Sequence, residues 1–445
     1  MKLLTRIGLL ALVVVAVLLA EQAAGAPTLV GRLLTGAAPA PTPAAANFDP
    51  SLPAVGYNDS TIAGLERQLQ QDGGDWQSYQ QLGFAYIQKA RDTGDPSYYG
   101  RAEAALKRAQ VIEPGDSDTL VGLGSLALSR HDFAQALVWG QQAQALSPAN
   151  PRVYGVLTDA DTELGDYPAA VAAAQAMVDH RPDLSSYSRV SYQRELHGDM
   201  AGAVAAMQQA ITAGSPNAEN TNWCRVQLGQ LYWLENDLAA AEAQYQRVLA
   251  AYPQYMYALA AMGQLRAGQG RWADAATYYQ QAIAVVPQPA YVAALADIYT
   301  KLGKTADAQQ QIDLFLFIAH TFEVNGVNFG IEKAVFLADH NQDLGTALTL
   351  AHQAGATRQD IHTQDSLAWV LYKNGRYAEA QAAAAQALRL GTADPLIYFH
   401  AGMIAAALGQ PIPARGYLEH ALALNPQFHP LFADLARATL AGLGH

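Results

Sequence analysis

The chain has 445 residues, of which 51% are apolar and only 15% charged, and it carries a net charge of −12. An apolar share of this size excludes a largely disordered chain, and the acidic balance leaves no basic footprint for general nucleic-acid binding. The single cysteine, Cys224, excludes an internal disulfide and a cysteine-based zinc site.

Residues 1–25 open with Lys2 and Arg6, followed by the fourteen apolar residues Ile7–Ala20. A charged flank before a short apolar run has the form of an export signal, and the run is short for a spanning helix. The segment is therefore expected to be a signal peptide or a short membrane anchor, placing the rest of the chain in the periplasm or outside the cell. Residues 26–56 contain six prolines among alanines and predict a semi-extended linker.

Beyond residue 57 the chain repeats. Ala102, Ala136, Ala170, Ala203, Ala241, Ala275, Ala308, Ala347, Ala380 and Ala414 recur every 33 to 39 residues. Pro114, Pro148, Pro182, Pro253, Pro287 and Pro426 stand twelve residues after six of them, and Gly124, Gly229, Gly263 and Gly402 twelve before four. Three markers in phase over such a length predict a solenoid. Each unit reads as two helices. In Trp223–Tyr255, Leu228, Leu231, Tyr232 and Leu234 form one apolar stripe, Glu235-Asn236-Asp237 interrupts it, and Ala241, Tyr245, Val248 and Leu249 form the next. Gly229 and Ala241 are small so that the two backbones can approach. One pair has too little core to stand alone and must stack on its neighbours.

These residues resemble the tetratricopeptide repeats. Leu82-Gly83, Tyr86, Ala102, Leu106, Ala109 and Pro114 follow that family's pattern, as do Leu228-Gly229, Tyr232, Ala241, Tyr245 and Pro253, and Met262-Gly263, Ala275, Tyr279, Ala282 and Pro287. The resemblance implies an all-α fold: a right-handed α-α superhelical solenoid of about ten helix pairs with a C-terminal capping helix. Residues 57–314 are expected to form an N-terminal array of about seven repeats, 315–345 an irregular junction, 346–427 a second array and 428–445 the cap. The stretch Phe315–Asn328 reads either as an extended second helix ending at Asn325-Gly326 or as a hinge.

No nucleophile elbow, zinc-protease motif or phosphate loop occurs. Gly122-Leu123-Gly124 lies inside an expected helix with no strand before it, against a nucleotide site. Eight of the eleven histidines follow residue 319. No two are spaced i, i+4, and they read as scattered helix-surface residues rather than metal ligands. Cys224 reads as a small packing residue. No catalytic, cofactor or metal residue is therefore expected.

In the family the first helix of each unit lines the concave face. The resemblance places Asp159, Tyr192, Glu195, Trp223, Gln230, Trp233, Tyr257 and Gln264 there, and Trp369 and Tyr372 in a second cluster with His362, Asp365 and Phe399. Aromatic anchors among acidic neighbours suit a peptide with apolar and basic side chains. The expected function is a non-enzymatic protein-binding scaffold of the cell envelope. The alternative is an accessory protein of envelope polysaccharide assembly that stacks sugar in the aromatic groove. An enzyme built on the junction and the C-terminal histidines ranks last.

Overall fold

The computed structural model describes residues 59–443 apart from 217; the expected export segment and linker lie outside the described residues. Among the described residues there are 22 α-helices and no strand. A leading helix, α1 (Asp59–Gln71), precedes ten helix pairs, numbered here as units one to ten. The first helices are α2 (Trp76–Thr93), α4 (Ser117–Ser129), α6 (Pro151–Leu164), α8 (Leu184–Leu196), α10 (Glu219–Leu234), α12 (Met256–Gly268), α14 (Pro289–Lys301), α16 (Gly330–Asp339), α18 (Ile361–Lys373) and α20 (Pro395–Ala407). The second helices are α3 (Ser97–Ile112), α5 (Phe133–Leu146), α7 (Tyr167–His180), α9 (Met200–Ala213), α11 (Leu238–Ala251), α13 (Trp272–Val285), α15 (Thr305–Val324), α17 (Leu344–Thr357), α19 (Tyr377–Ala387) and α21 (Pro411–Leu424). Helix α22 (Phe432–Gly442) closes the array, burying Phe432, Ala433 and Ala436.

Within a unit the small residues set the helix spacing. All ten repeat alanines are buried, and nine of them are fully enclosed. A Cβ added to Gly229 would lie 2.3 Å from the Tyr245 ring, so glycine is required for this approach. In each unit the chain turns from first to second helix through a residue with positive φ, at Gly94, His131, Gly165, Gly198, Asn236, Gly270, Gly303, Asn341, Gly375 and Gly409, with Asp343 a second such residue in unit eight. Left-handed backbone costs least at glycine and little at asparagine, which fits nine of the ten positions that recur once per unit.

The residues expected to form an irregular junction, 315–345, hold the second half of α15, all of α16 and a short turn. Helix α15 is the longest of the second helices because apolar residues continue past the point where other units carry proline. Phe315 stacks on Phe336 at 3.6 Å, and Phe322 meets Phe329 edge-on. The stretch is packed on unit eight through these rings.

The array coils back on itself with six units per turn. The end of each first helix in units one to five meets the segment that precedes the first helix six units on. Gly94 abuts Val286. The Asn328 N–H donates to the Arg130 carbonyl at 2.9 Å. Arg358 pairs with Glu163 at 2.6 Å, and the Ile361 N–H donates to the Tyr167 hydroxyl at 2.8 Å. Thr392 donates to the Leu196 carbonyl, and Asn425 donates to the Trp233 carbonyl at 3.0 Å. The partners in these last four bonds lie 192 to 196 residues apart. Tyr167, Leu196, Ile361, Ala387 and Ile397 add an apolar core to this seam. Since the seam buries backbone groups, each needs a partner from the facing turn, and the contacts above supply them.

Candidate functional site

The seam decides which of the residues expected on the concave face stay open. Trp233 does not. Its side chain is 5% exposed, beneath the segment Asn425–Pro430 that enters from the following turn. Trp233, Gln264, Asp297, Phe428 and His429 line a cavity of about 150 Å³ there. That volume suits a few waters or one side chain, below the usual range for a small-molecule site. The Trp233 indole Nε1 has no partner among the described residues. Expectation and structure differ here for a topological reason: unit five is covered by chain 192 residues later.

Trp369 is also core, at 1% exposure. Its ring stacks on His400 and Tyr372, and Nε1 donates to Asp339 at 2.6 Å. Phe399 is fully enclosed, and Asp365 pairs with His400 Nδ1 at 2.9 Å. Apart from His362, which is exposed, the second cluster is therefore a buried acid–aromatic core rather than a groove, and Tyr372 is packed on its edge.

The reading of the late histidines as scattered surface residues is corrected for three of them. His400 is buried against Asp365. His340 and His429 flank Asp297, with Nε2–carboxylate distances of 3.5 and 3.4 Å. His429 Nδ1 accepts the Leu431 N–H, so its proton sits on Nε2, facing Asp297. Burial pushes the Asp297 carboxyl up, but the two imidazoles outweigh it and hold the group down at about 2. These pairs tie α14, α16 and the segment before α22 together inside the coil. Sequence spacing misses them because the partners come from different units. Among the described residues, no group of three or more histidine, cysteine or acidic side chains is arranged to hold a metal. Cys224 is buried among Leu184, Met207 and Leu228, and burial pushes its thiol up, away from reactivity.

What remains open lies on α8 and α10. Tyr192, Glu195, Trp223, Gln227 and Gln230 line a second hollow of about 80 Å³ with Ser188, Met207 and Leu231. Tyr192 is 37% exposed, more than a packing tyrosine requires. The ring stands inside the hollow of the inner face, where the surrounding protein and then the charges of Glu163 and Glu195 push its phenol up although solvent still reaches the side chain. The Glu195 carbonyl accepts from the Gly198 N–H, while its carboxylate has no hydrogen-bond or ion-pair partner among the described residues. Burial raises its carboxyl to about 7, partly offset by His362 from the next turn, while Asp394 adds to the rise. Glu163, one unit earlier, is raised by burial to about 7 despite Arg358. Gln230 donates to Gln264 at 2.9 Å and so links this hollow to the covered one. Asp159 is not free, because Arg189 clamps it at 2.5 and 2.8 Å. Tyr257 sits apart, half-buried beside Tyr255 and under the charges of Arg91, Glu219 and Asp92. Of the ten residues expected in the groove, Tyr192, Glu195, Trp223 and Gln230 are brought together as an accessible set.

No curated protein matches the chain by sequence. Solved structures that resemble it include a thermophilic tetratricopeptide repeat protein of Thermus thermophilus, at 23% identity and a TM-score of 0.38, covering 45% of this chain and 98% of that one. The APC/C hetero-tetramer Cut9–Hcn1 aligns at 14% identity and a TM-score of 0.38, covering 86% and 92%. PilF of Pseudomonas aeruginosa aligns at 17% identity and a TM-score of 0.36, covering 48% and 95%. A tetratricopeptide repeat family model matches residues 260–316 and 366–428, and a second matches 224–255. The matched segments fall on units five to seven and nine to ten, in register with the helix pairs, and these units are tetratricopeptide repeats.

Proposed function

We propose that the protein is a protein-interaction scaffold of the cell envelope that engages an extended partner segment on the inner face of α8 and α10. The observation that carries this reading is the juxtaposition of an exposed Tyr192 ring with the unpartnered Glu195 carboxylate. An exposed aromatic supplies contact area at low entropic cost, and an unpaired acid in a sheltered site favours a cationic group. The partner segment therefore carries an apolar or aromatic side chain next to a lysine or arginine. Envelope location is supported by the Lys2/Arg6 flank and the Ile7–Ala20 run. Among the described residues no helix is long and apolar enough to cross a membrane.

The sugar-binding alternative loses its main support, because Trp233 and Trp369 are core and offer no stacking face. The test compares wild type, Tyr192→Ala and Glu195→Gln as bait in envelope extract. A protein retained by wild type and lost by both variants supports the site. Equal retention by all three, with the variants folded, contradicts it. A periplasm-dependent reporter fused after residue 445 should be active if the chain is exported, and activity of a cytoplasmic reporter alone would contradict export.

A further inference from the structure

The seam uses only half of the edges that could form it. In units one to five the end of the first helix is covered by the following turn. A Cβ at Gly94, Gly165 or Gly198 would lie within 2.7 Å of Val286, Gln359 or Gly391, and His131 bonds to Asn328. In unit five the Trp233 carbonyl accepts from Asn425. In units six, seven, nine and ten the turn residues are Gly270, Gly303, Gly375 and Gly409, and a Cβ there meets nothing within 4 Å. The same left-handed turn is thus present and bare. Among the described residues no earlier turn of the coil precedes the segments before α2, α4, α6, α8 and α10.

The residue after each turn differs between the two halves. In the covered half it is always aspartate: Asp95, Asp132, Asp166, Asp199 and Asp237. Four of these accept a backbone N–H as the N-cap of the second helix. In the bare half the residues are Arg271, Lys304, Gln342, Arg376 and Gln410, and none of them caps its helix through a side chain. Three of these five residues are basic, and only unit eight keeps a side-chain cap, from Asp343 one residue further on. The facing edge is acidic where the six-unit rule would bring it opposite: Asp72 and Asp75 to Arg271, and Glu113 and Asp116 to Lys304. Asp183 would face Arg376, sharing its edge with Arg181. Arg271, Lys304, Asp72 and Glu113 are exposed. Their present contacts are local: Arg271 with Asp274, Lys304 over the Tyr299 ring, and Asp72 and Glu113 with their own turns.

We propose that a second copy of this chain docks on the bare edge and continues the seam, its units one to five lying on units six to ten. Such a contact is head-to-tail and does not close on itself, so repetition yields a linear assembly. The inference does not rest on the partner site at Tyr192.

The test is sedimentation of the full-length chain in mild detergent across a concentration series. One variant carries Arg271→Glu with Lys304→Glu, the other Asp72→Lys with Glu113→Lys. Wild type should gain mass with concentration. Each variant alone should need about tenfold more protein to associate, since like charges would meet across the edge. An equal mixture of the two should recover wild-type association, because each reversed edge then meets its complement. A single mass for wild type at all concentrations, or association unchanged by either reversal, overturns the proposal; so does a folded mixture that fails to recover. Should a reversal prevent folding, the salt dependence of wild-type association decides: weakening on added salt supports the charged seam, and indifference overturns it.

Discussion

The Tyr167 hydroxyl accepts a hydrogen bond from the backbone N–H of Ile361, 194 residues further along the chain, and both residues are buried. A contact between units three and nine of a solenoid is not needed to stack neighbours. It exists because the array completes a turn in six units and the pitch brings the ends of first helices against the next turn. Tyr167→Phe keeps the ring and removes the acceptor, leaving the Ile361 N–H buried and unpaired. The expected cost is about 1–3 kcal/mol. Hydrogen exchange should show faster release at Ile361 in the variant, with the amides of unit one unchanged. Unchanged exchange at Ile361 would mean that the two turns do not stay together in solution.

Glycine substitutions separate packing from propensity. Gly229→Ala drives a Cβ into the Tyr245 ring, which is fully buried and cannot swing away. Overpacking of this kind should cost about 1–3 kcal/mol. Gly416→Ala, on the exposed face of α21 with nothing near its Cβ, should instead stabilise by up to about 1 kcal/mol through helix propensity. Thermal midpoints moving in opposite directions would confirm the assignment of the two faces. Equal shifts would refute it.

Trp233→Ala should destabilise the fold by about 3–5 kcal/mol, as for other large buried rings. The loss should be concentrated in the segment Asn425–Pro430 that covers it. Tyr192→Ala, on the open face, should change stability by much less. Denaturant midpoints of the two variants measure this directly; a Trp233→Ala variant as stable as wild type would place the ring in solvent.

Burial raises the Glu195 carboxyl from its usual range to about 7. A raised folded value means that the folded chain holds this proton where the unfolded chain has lost it. The contribution is complete below about pH 4.3 and falls away as the pH climbs through 7. Glu195→Gln removes the charge that burial penalises. The variant should match wild type near the unfolded carboxyl's own pKa, at about pH 4.3, and exceed it in thermal midpoint about one unit above the folded value. A constant offset at both pH values would assign the effect to shape rather than charge.

The local part of the architecture was legible in the chain. Ala241, Gly229 and Tyr245 touch within one unit, so a repeat pattern is enough to find them. Trp233 and Trp369 were misassigned for the opposite reason. Position in the repeat puts both on the inner side of a first helix, which is where the structure has them. What covers them is Asn425–Pro430 in one case and His400 with Phe432 in the other, and no repeat pattern records which unit faces which across a turn. His340 and His429 escape sequence spacing likewise, since they meet only through Asp297. One signal was present and unread: the change from Asp237 to Arg271 at equivalent positions marks the limit of the covered edge.

A scaffold of this kind is defined by what the inner face of α8 touches in the cell. A photo-crosslinking amino acid at position 192 should capture a discrete partner in the envelope fraction, and the same group at Val111, exposed on the second helix of unit one, should not. Capture at 192 that disappears with Glu195→Gln, while the protein level is unchanged, is the result expected. Capture at 111 alone, or no capture at 192 from cells in which the protein is folded and exported, would contradict the inner-face site.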